Sequence, residues 1–282
     1  MRRVSYLFMA AAIVTAASPS NAAVDHSLWS SLLARYVNDS GKVAYRDWQA
    51  NDRATFQRYL DTLAQTRPED LSEVGEKAFW INAYNAVIVE GILQGYSAEG
   101  LLGRKRLFSW FTVRIAGKDR TPDEIEHQIL RKKFHDPRIH FAIVCASSSC
   151  PKLRDEAYLP DRLEMQLDDA TRAFVNDDTR NQIDAQGVAL SKIFDWFAED
   201  FKANAGSVVE FVRRFVADEK RAKLNLADDS LRYLDYNWTL NAQEGQRVSW
   251  RRKNDETMER NSRNGACGRF GDHAARCPSR PS

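Results

Sequence analysis

Apolar residues recur at helical spacing in Leu28-Trp29, Leu32-Leu33 and Tyr36, so an amphipathic helix is predicted to open the folded part, with Ser27 as its cap. Asp39-Ser40-Gly41 turns the chain, Val43 and Tyr45 alternate as a short strand would, and Phe56, Tyr59, Leu60 and Leu63 mark a second helix. Residues 73–94 are apolar in nearly every direction, through Phe79, Trp80, Ile81, Val87, Ile88, Ile92 and Leu93. A helix without a polar face belongs inside, so this one is predicted to be central and buried. On it Asn82 and Asn85 share a stripe, and because buried amides need partners they either tie neighbouring segments to the core or meet a ligand.

Phe111, Val113 and Ile115 alternate before Gly117-Lys118, the pattern of a strand ending in a turn. Thr121-Pro122-Asp123-Glu124 then supplies a helix start, with a Thr cap, Pro at the first helical position and Glu at the third. In the helix that follows, Ile125, Ile129, Leu130 and Phe134 define an apolar arc centred on Glu126, with His127 at its edge. A carboxylate in that position is either buried and paired or functional. From 139 to 146 only His140 is polar, which predicts a strand covered on both faces and opening into a Ser-rich loop that ends at Cys150-Pro151. Period-two alternation would put His140 on the face opposite Cys145, arguing against that pair and leaving Cys150 to fold back towards the imidazole.

Further on, Pro160 opens a helix with the stripe Leu163, Leu167, Ala170 and Phe174, and residues 183–190, broken at Gly187, read as a hairpin. Ile193, Phe194, Phe197 and Phe201 form another helix face, followed by a helix near 208–216 and a last strand around 231–240. Helices and short strands without a βαβ period predict a single α+β domain, its central buried helix packed on a small mixed sheet with further helices around it.

Composition adds a compartment. Arg2 and Arg3, an apolar run over 4–17 and Ser20-Asn21-Ala22 have the form of a signal peptide, so residues 1–22 are expected to be removed near Ala22 and the protein to be periplasmic or secreted. No later run approaches the roughly 18 apolar residues of a membrane span. The globular domain is expected over 23–245 and a tail over 246–282. Net charge is +2, but from Arg247 onward nine Lys/Arg face four acids. With that +5 and the two leader arginines set aside, the body is near −5, which gives no reason to expect nucleic acid as a partner. The tail has few bulky apolar residues and is expected to be disordered, with contact to an acidic surface as the alternative.

Four cysteines in an exported chain suggest disulfides, with Cys145–Cys150 and Cys267–Cys277 one of three connectivities. In the competing reading Cys150 stays reduced as a nucleophile, favoured as thiolate by Lys152 and Arg154, with loop N–H groups for an oxyanion, His140 or His127 as base and Glu126 orienting it. The five histidines offer no zinc motif, and there is no phosphate-binding or dinucleotide glycine loop, so neither a metal nor a cofactor is expected.

The blocks Phe79-Trp-Ile-Asn-Ala-Tyr-Asn-Ala86, Ile125-Glu-His127, His140-Phe-Ala-Ile-Val-Cys-Ala-Ser-Ser-Ser-Cys-Pro151 and Tyr236-Asn-Trp-Thr-Leu-Asn241 together resemble the uncharacterised family catalogued as domain of unknown function 547, over roughly residues 24–241. The resemblance implies a shared α+β core and a cluster of Trp80, Asn82, Asn85, Glu126, His127, His140, Cys145 and Cys150, but no established reaction. Where the family's last block usually has Asp before Trp, this chain has Asn237. The order of elements is also loosely similar to papain- and transglutaminase-like cores, by analogy only. The leading expectation is thiol-dependent acyl transfer or hydrolysis of a peptide-like amide, with Cys150, His140, His127 and Glu126 catalytic and Trp80, Asn82, Asn85 and Ser149 in binding. Its rival is a non-catalytic module that binds a small molecule, peptide or protein partner, with a structural Cys145–Cys150 disulfide.

Overall fold

Trp29, Leu32, Leu33 and Tyr36 lie buried on one face of the first helix, as their spacing requires. That helix begins at Ser27 itself and takes no side-chain cap from it: Asp25 accepts the Ser27 N–H (2.9 Å), and His26 is buried against the Tyr59 hydroxyl (2.7 Å). The computed structural model describes residues 23–185, 187–226 and 231–246, which fall in one compact unit. The expected leader, the basic segment 247–282 and Cys267 with Cys277 lie outside the described residues.

In chain order the elements are α1 (Ser27–Tyr36), α2 (Tyr45–Asn51), α3 (Arg53–Gln65), α4 (Glu73–Leu93), α5 (Gly100–Lys105), β1 (Val113–Ile115), β2 (Lys118–Arg120), α6 (Arg131–Phe134), α7 (Leu163–Val175), β3 (Gln182–Asp184), β4 (Gly187–Leu190), α8 (Lys192–Trp196), α9 (Ala198–Ala205), α10 (Val208–Phe215), α11 (Asp218–Arg221) and β5 (Arg232–Tyr233). Two π-helical segments, Arg106–Trp110 and Glu124–Leu130, continue α5 and lead into α6. The architecture is α+β, mostly helical, with a β1–β2 hairpin and a three-stranded mixed sheet in which β4 pairs antiparallel with β3 and parallel with β5.

Helix α4 is central and buried over most of its length, started by Ser72, whose Oγ accepts the Gly75 N–H (3.2 Å). Its main neighbours, however, are the Glu124–Leu130 segment and α2 rather than the sheet. The described residues build two apolar clusters instead of one. The first gathers α1 to α4 and the Glu124–Leu130 segment. The second gathers Phe141, Phe174, Phe194, Phe201 and Phe211 with the inward residues of β3 and β4, and the sheet belongs there. Mixed sheet and buried helix therefore each have a separate core.

Three strand expectations change. Residues 139–146 are buried, apart from the half-buried Cys145, but form no strand: Asp136 accepts the Arg138 N–H (3.1 Å), and Pro137–Phe141 close into a 3-10 turn. Pro137 at the head of that turn fixes a helical φ, and the run is apolar because it passes between the two clusters, with Ile139 in one and Phe141 in the other. Tyr45 starts α2 rather than continuing a strand, while Val43 makes single bridges to Val37 and Ala242. The last strand shrinks to β5, and the chain beyond it pairs with the cysteine loop through Ser148 N–H to Thr239 O (2.7 Å), Ser149 N–H to Asn237 O (3.2 Å) and Asn241 N–H to Ala146 O (3.1 Å).

Candidate functional site

Two windings of the backbone bring the predicted chemistry to one place. The Thr121 hydroxyl accepts the Glu124 N–H (3.1 Å) as the sequence required, but the helix then widens into a π-helical stretch that sets the adjacent Glu126 and His127 on one wall of a cleft. The 3-10 turn brings His140 to the same cleft, and the loop after it contributes both Cys145 and Cys150. Because that run is not a strand, alternation of faces does not apply, and the expected separation of His140 from Cys145 is overturned: both line the cavity. Its volume is about 210 Å³, and Phe108, Trp196, Phe197, Tyr236 and Trp238 supply an aromatic wall.

The sulfurs of Cys145 and Cys150 lie at disulfide distance, with their Cα atoms 6.2 Å apart. The Cys145 N–H points at the Cys150 sulfur (2.8 Å), and the Tyr236 hydroxyl lies 3.2 Å from the Cys145 sulfur and 3.4 Å from that of Cys150. Four of the loop N–H groups offered by the sequence for an oxyanion are engaged elsewhere: Cys145 on sulfur, Ser148 and Ser149 on the 237–239 segment, Cys150 on the Ser147 carbonyl (3.1 Å). Nor do the two cations serve a thiolate. Lys152 reaches the Asp39 carbonyl (3.4 Å) and Arg154 pairs with Glu156 (2.7 Å), and neither lines the cavity. Closing so short a loop is worth about 2 kcal/mol through the unfolded chain, so replacing both cysteines by Ser should lower the unfolding free energy by about that amount and move the urea midpoint down, with a slope that is equal or steeper because the uncrosslinked chain expands. An unchanged midpoint would mean that the pair is open.

The imidazole of His140 is fully buried and stacked on Phe197 with ring centres 3.8 Å apart. Its Nε2 lies 2.8 Å from Asp200, whose other contacts are a two-pronged ion pair from Arg131 (2.7 and 2.9 Å). Burial pushes the Asp200 carboxyl up, but hydrogen bonds from His140 and Arg131 outweigh it and hold the group well below the usual range, so it is ionised. An ionised acceptor on Nε2 requires the proton there. Burial, opposed by Asp200, lowers the His140 pKa, so at neutral pH the ring is uncharged and Nδ1 carries a lone pair. Among the described residues Nδ1 has no hydrogen-bond partner, and it stands 4.0 Å from Glu126 Oε1.

Glu126 is the second unusual group. Burial pushes its carboxyl up to about 7, against the opposing pull of the Tyr84 hydroxyl, which donates to Oε2 at 3.2 Å, and of Arg131. Near neutral pH it is therefore about half protonated and can offer an O–H to the cavity. His127 sits at the rim with Nδ1 accepting from Arg131 (3.1 Å); burial, reinforced by that guanidinium, lowers its pKa. It is thus committed to Arg131 rather than to Glu126.

Residues 68–175 match the family model described as Protein of unknown function, DUF547. The DUF547 match begins just before α4, ends with α7, and includes Glu126, His127, His140, Cys145 and Cys150. It is shorter than the four sequence blocks span: Asp200 and the Tyr236–Asn241 block lie beyond it. No curated protein and no solved structure matches the chain.

The four residues proposed for binding do not line this cavity. Asn82 donates to the Tyr158 carbonyl (2.7 Å) and accepts the Tyr158 N–H (2.9 Å), and Asn85 does the same with Ala142 O (3.0 Å) and Val144 N–H (2.9 Å). Each amide imitates a strand partner for a loop. Trp80 gives its indole N–H to Glu76 (3.2 Å), and Ser149 Oγ accepts the Asn237 N–H (2.9 Å). The side chain of Asn237 accepts the Thr239 N–H (2.9 Å), so the carboxylate orienting a histidine comes from α9 as Asp200. Sequence reasoning missed that residue: its one signal is an acid set between Phe197 and Phe201. Tyr84 and Tyr236 also line the cavity, each lying within one of the sequence blocks that carry the family resemblance. Among the described residues no group of three His, Cys, Asp or Glu is placed to hold a metal ion, and no helix is long and apolar enough to cross a membrane.

Proposed function

We propose that the protein is a ligand-binding module whose cavity takes a small molecule or peptide end with a flat apolar body and one carboxamide-like group. The unpartnered Nδ1 of His140 carries this reading, since a buried acceptor left without a donor costs about 1–3 kcal/mol unless a ligand supplies one. An amide N–H would satisfy Nδ1 while the amide oxygen accepts from protonated Glu126, and aromatic side chains would flank the body. At about 210 Å³ the cavity lies below the roughly 300–1,000 Å³ of sites for drug-sized ligands, so the occupant is small or only partly enclosed. The disulfide then has a mechanical role, fixing the wall that carries Cys145. With residues 1–22 as an export signal, the setting is periplasmic or secreted, where such a bond persists.

In the test, benzamide is titrated into the protein while tryptophan fluorescence is followed, Trp196 and Trp238 being in the wall. Saturable binding is expected, weakened roughly tenfold or more by His140→Ala and by Trp196→Ala. No saturable change, or equal binding by the His140 variant after its fold is verified, would sink the reading.

The Asp200-held imidazole favours a second reading for reduced protein. With the sulfurs open, His140 would take the proton of a cysteine thiol, the thiolate would attack the carbonyl carbon of a peptide-like amide, the amine would leave with that proton as the C–N bond breaks, and the acyl group would pass to water or an acceptor amine. This reading requires free thiols at Cys145 and Cys150 in protein isolated from the exporting cell, and Cys150→Ala must abolish labelling by an amide-directed electrophile. A closed bond in that thiol map leaves binding alone.

A further inference from the structure

Residues 100–110 carry an outer surface that the cavity does not use. Of the six large hydrophobic residues exposed among the described ones, three are here: Leu101 at 81%, Leu102 at 54% and Trp110 at 56%. At helical spacing they share the outward half of the segment with Lys105 and Arg106, which are also exposed, and the Lys105 ammonium lies 5.3 Å from the Trp110 ring centre. Among the described residues none of Arg104, Lys105 and Arg106 pairs with an acid; Arg104 stacks 4.4 Å over Trp238 instead.

The inner half is firmly seated. Leu107 is fully buried and passes so close to Gly91 of α4 that a Cβ on that glycine would fall 2.5 Å from it, and a Cβ on Gly103 would fall 2.7 Å from the Ser97 carbonyl. The exposed leucines and tryptophan therefore stand on a fixed base and are not waiting to fold inward.

We propose that residues 101–110 dock the protein on an anionic lipid bilayer. Two leucines at one end, a tryptophan at the other and cations between them are the composition of a helix lying in the membrane interface: leucines enter the acyl boundary, the indole sits at headgroup depth, and the cations meet anionic headgroups. A bilayer asks only for apolar depth and opposite charge, and this face offers both without any specific hydrogen-bonding pattern. Phe108 of the same segment turns the other way and lines the cavity, so docking would hold the cavity mouth beside the lipid surface. The inference is independent of which ligand the cavity takes.

The test uses protein purified from exporting cells, tail included, sedimented with vesicles of phosphatidylcholine alone or mixed with an equal part of phosphatidylglycerol. The wild type is expected to sediment with the anionic vesicles, less as salt rises, and to lose fluorescence when the acyl chains are brominated. Leu101→Ser with Leu102→Ser, and separately Lys105→Glu with Arg106→Glu, should each weaken sedimentation roughly tenfold or more. All four side chains are exposed, so thermal midpoints should not move. Failure to bind anionic vesicles overturns the proposal, and so does binding that both double variants retain, which would assign it to the tail. Retention on a polyglutamate matrix without vesicle binding would assign the face to an acidic protein surface and equally overturn it.

Discussion

Asn85→Ala should destabilise the protein by roughly 2–6 kcal/mol, a large part of the roughly 5–15 kcal/mol that holds a domain together. Asn85 is 1% exposed, donates to the Ala142 carbonyl and accepts the Val144 N–H. Truncation leaves both backbone groups buried without partners, each costing about 1–3 kcal/mol, and the helix face cannot supply replacements because its own amides are engaged in α4. Asn85→Asp sets a buried carboxyl against the Ala142 carbonyl, so it should destabilise at least as much as alanine at neutral pH and less on acidification, when its O–H can donate. Urea midpoints at matched slopes measure the series, and hydrogen exchange at the Val144 amide reports the site. A loss below about 1 kcal/mol for the alanine variant would mean that the 142–144 segment holds its place without α4. The segment leads directly to Cys145, so the same variant should also blunt benzamide binding.

Glu126→Gln is expected to stabilise the protein at high pH and leave it nearly unchanged at low pH. The folded pKa of about 7 lies above the ordinary 4.5, so the native state binds the proton more tightly than the unfolded chain does. The resulting stability is complete below about pH 4.5 and is lost progressively as pH rises through about 7. At about 1.4 kcal/mol per unit the loss across that window is about 3 kcal/mol for this buried group. Glutamine is neutral throughout and keeps both an acceptor for Tyr84 and a donor for the cavity, so near pH 8 the variant should exceed the wild type by up to about 3 kcal/mol. Asp200 has the opposite sense, its depressed pKa contributing stability that disappears on acidification, but it is common to both proteins and cancels in the difference. Parallel denaturation curves across that range are the measurement. A difference independent of pH would show that Glu126 is not shifted by burial.

Legibility from sequence followed the range of each interaction. Local signals held where they rested on side chains a few residues apart: the all-apolar α4, the Thr121 cap, the hairpin broken at Gly187 and the acid centred in the arc of Ile125 and Leu130. The 139–146 run misled because an apolar stretch reports burial, and burial between two cores needs no strand. From that one error followed the separation of His140 from Cys145. Glu126, His127, His140 and Cys150 line one cavity, whereas Trp80, Asn82, Asn85 and Ser149 lie outside its lining and are hydrogen-bonded within the fold.

By itself, then, the order of residues determined α1, α3, α4, α7 and α10, the burial of α4 and which chemical groups are concentrated near the loop 145–150, since capping, periodicity and apolar content act within a few turns of chain. Only the tertiary structure decided what those groups are. Asp200 arrives from α9, sixty residues from His140, to fix the tautomer of the ring, and Tyr236 closes over the sulfur pair from the end of the domain. The protonation of Glu126 comes from the low dielectric that packing creates around it. A hydrogen bond across sixty residues and a desolvated carboxyl leave no periodic trace in a chain, because both exist only after the segments meet.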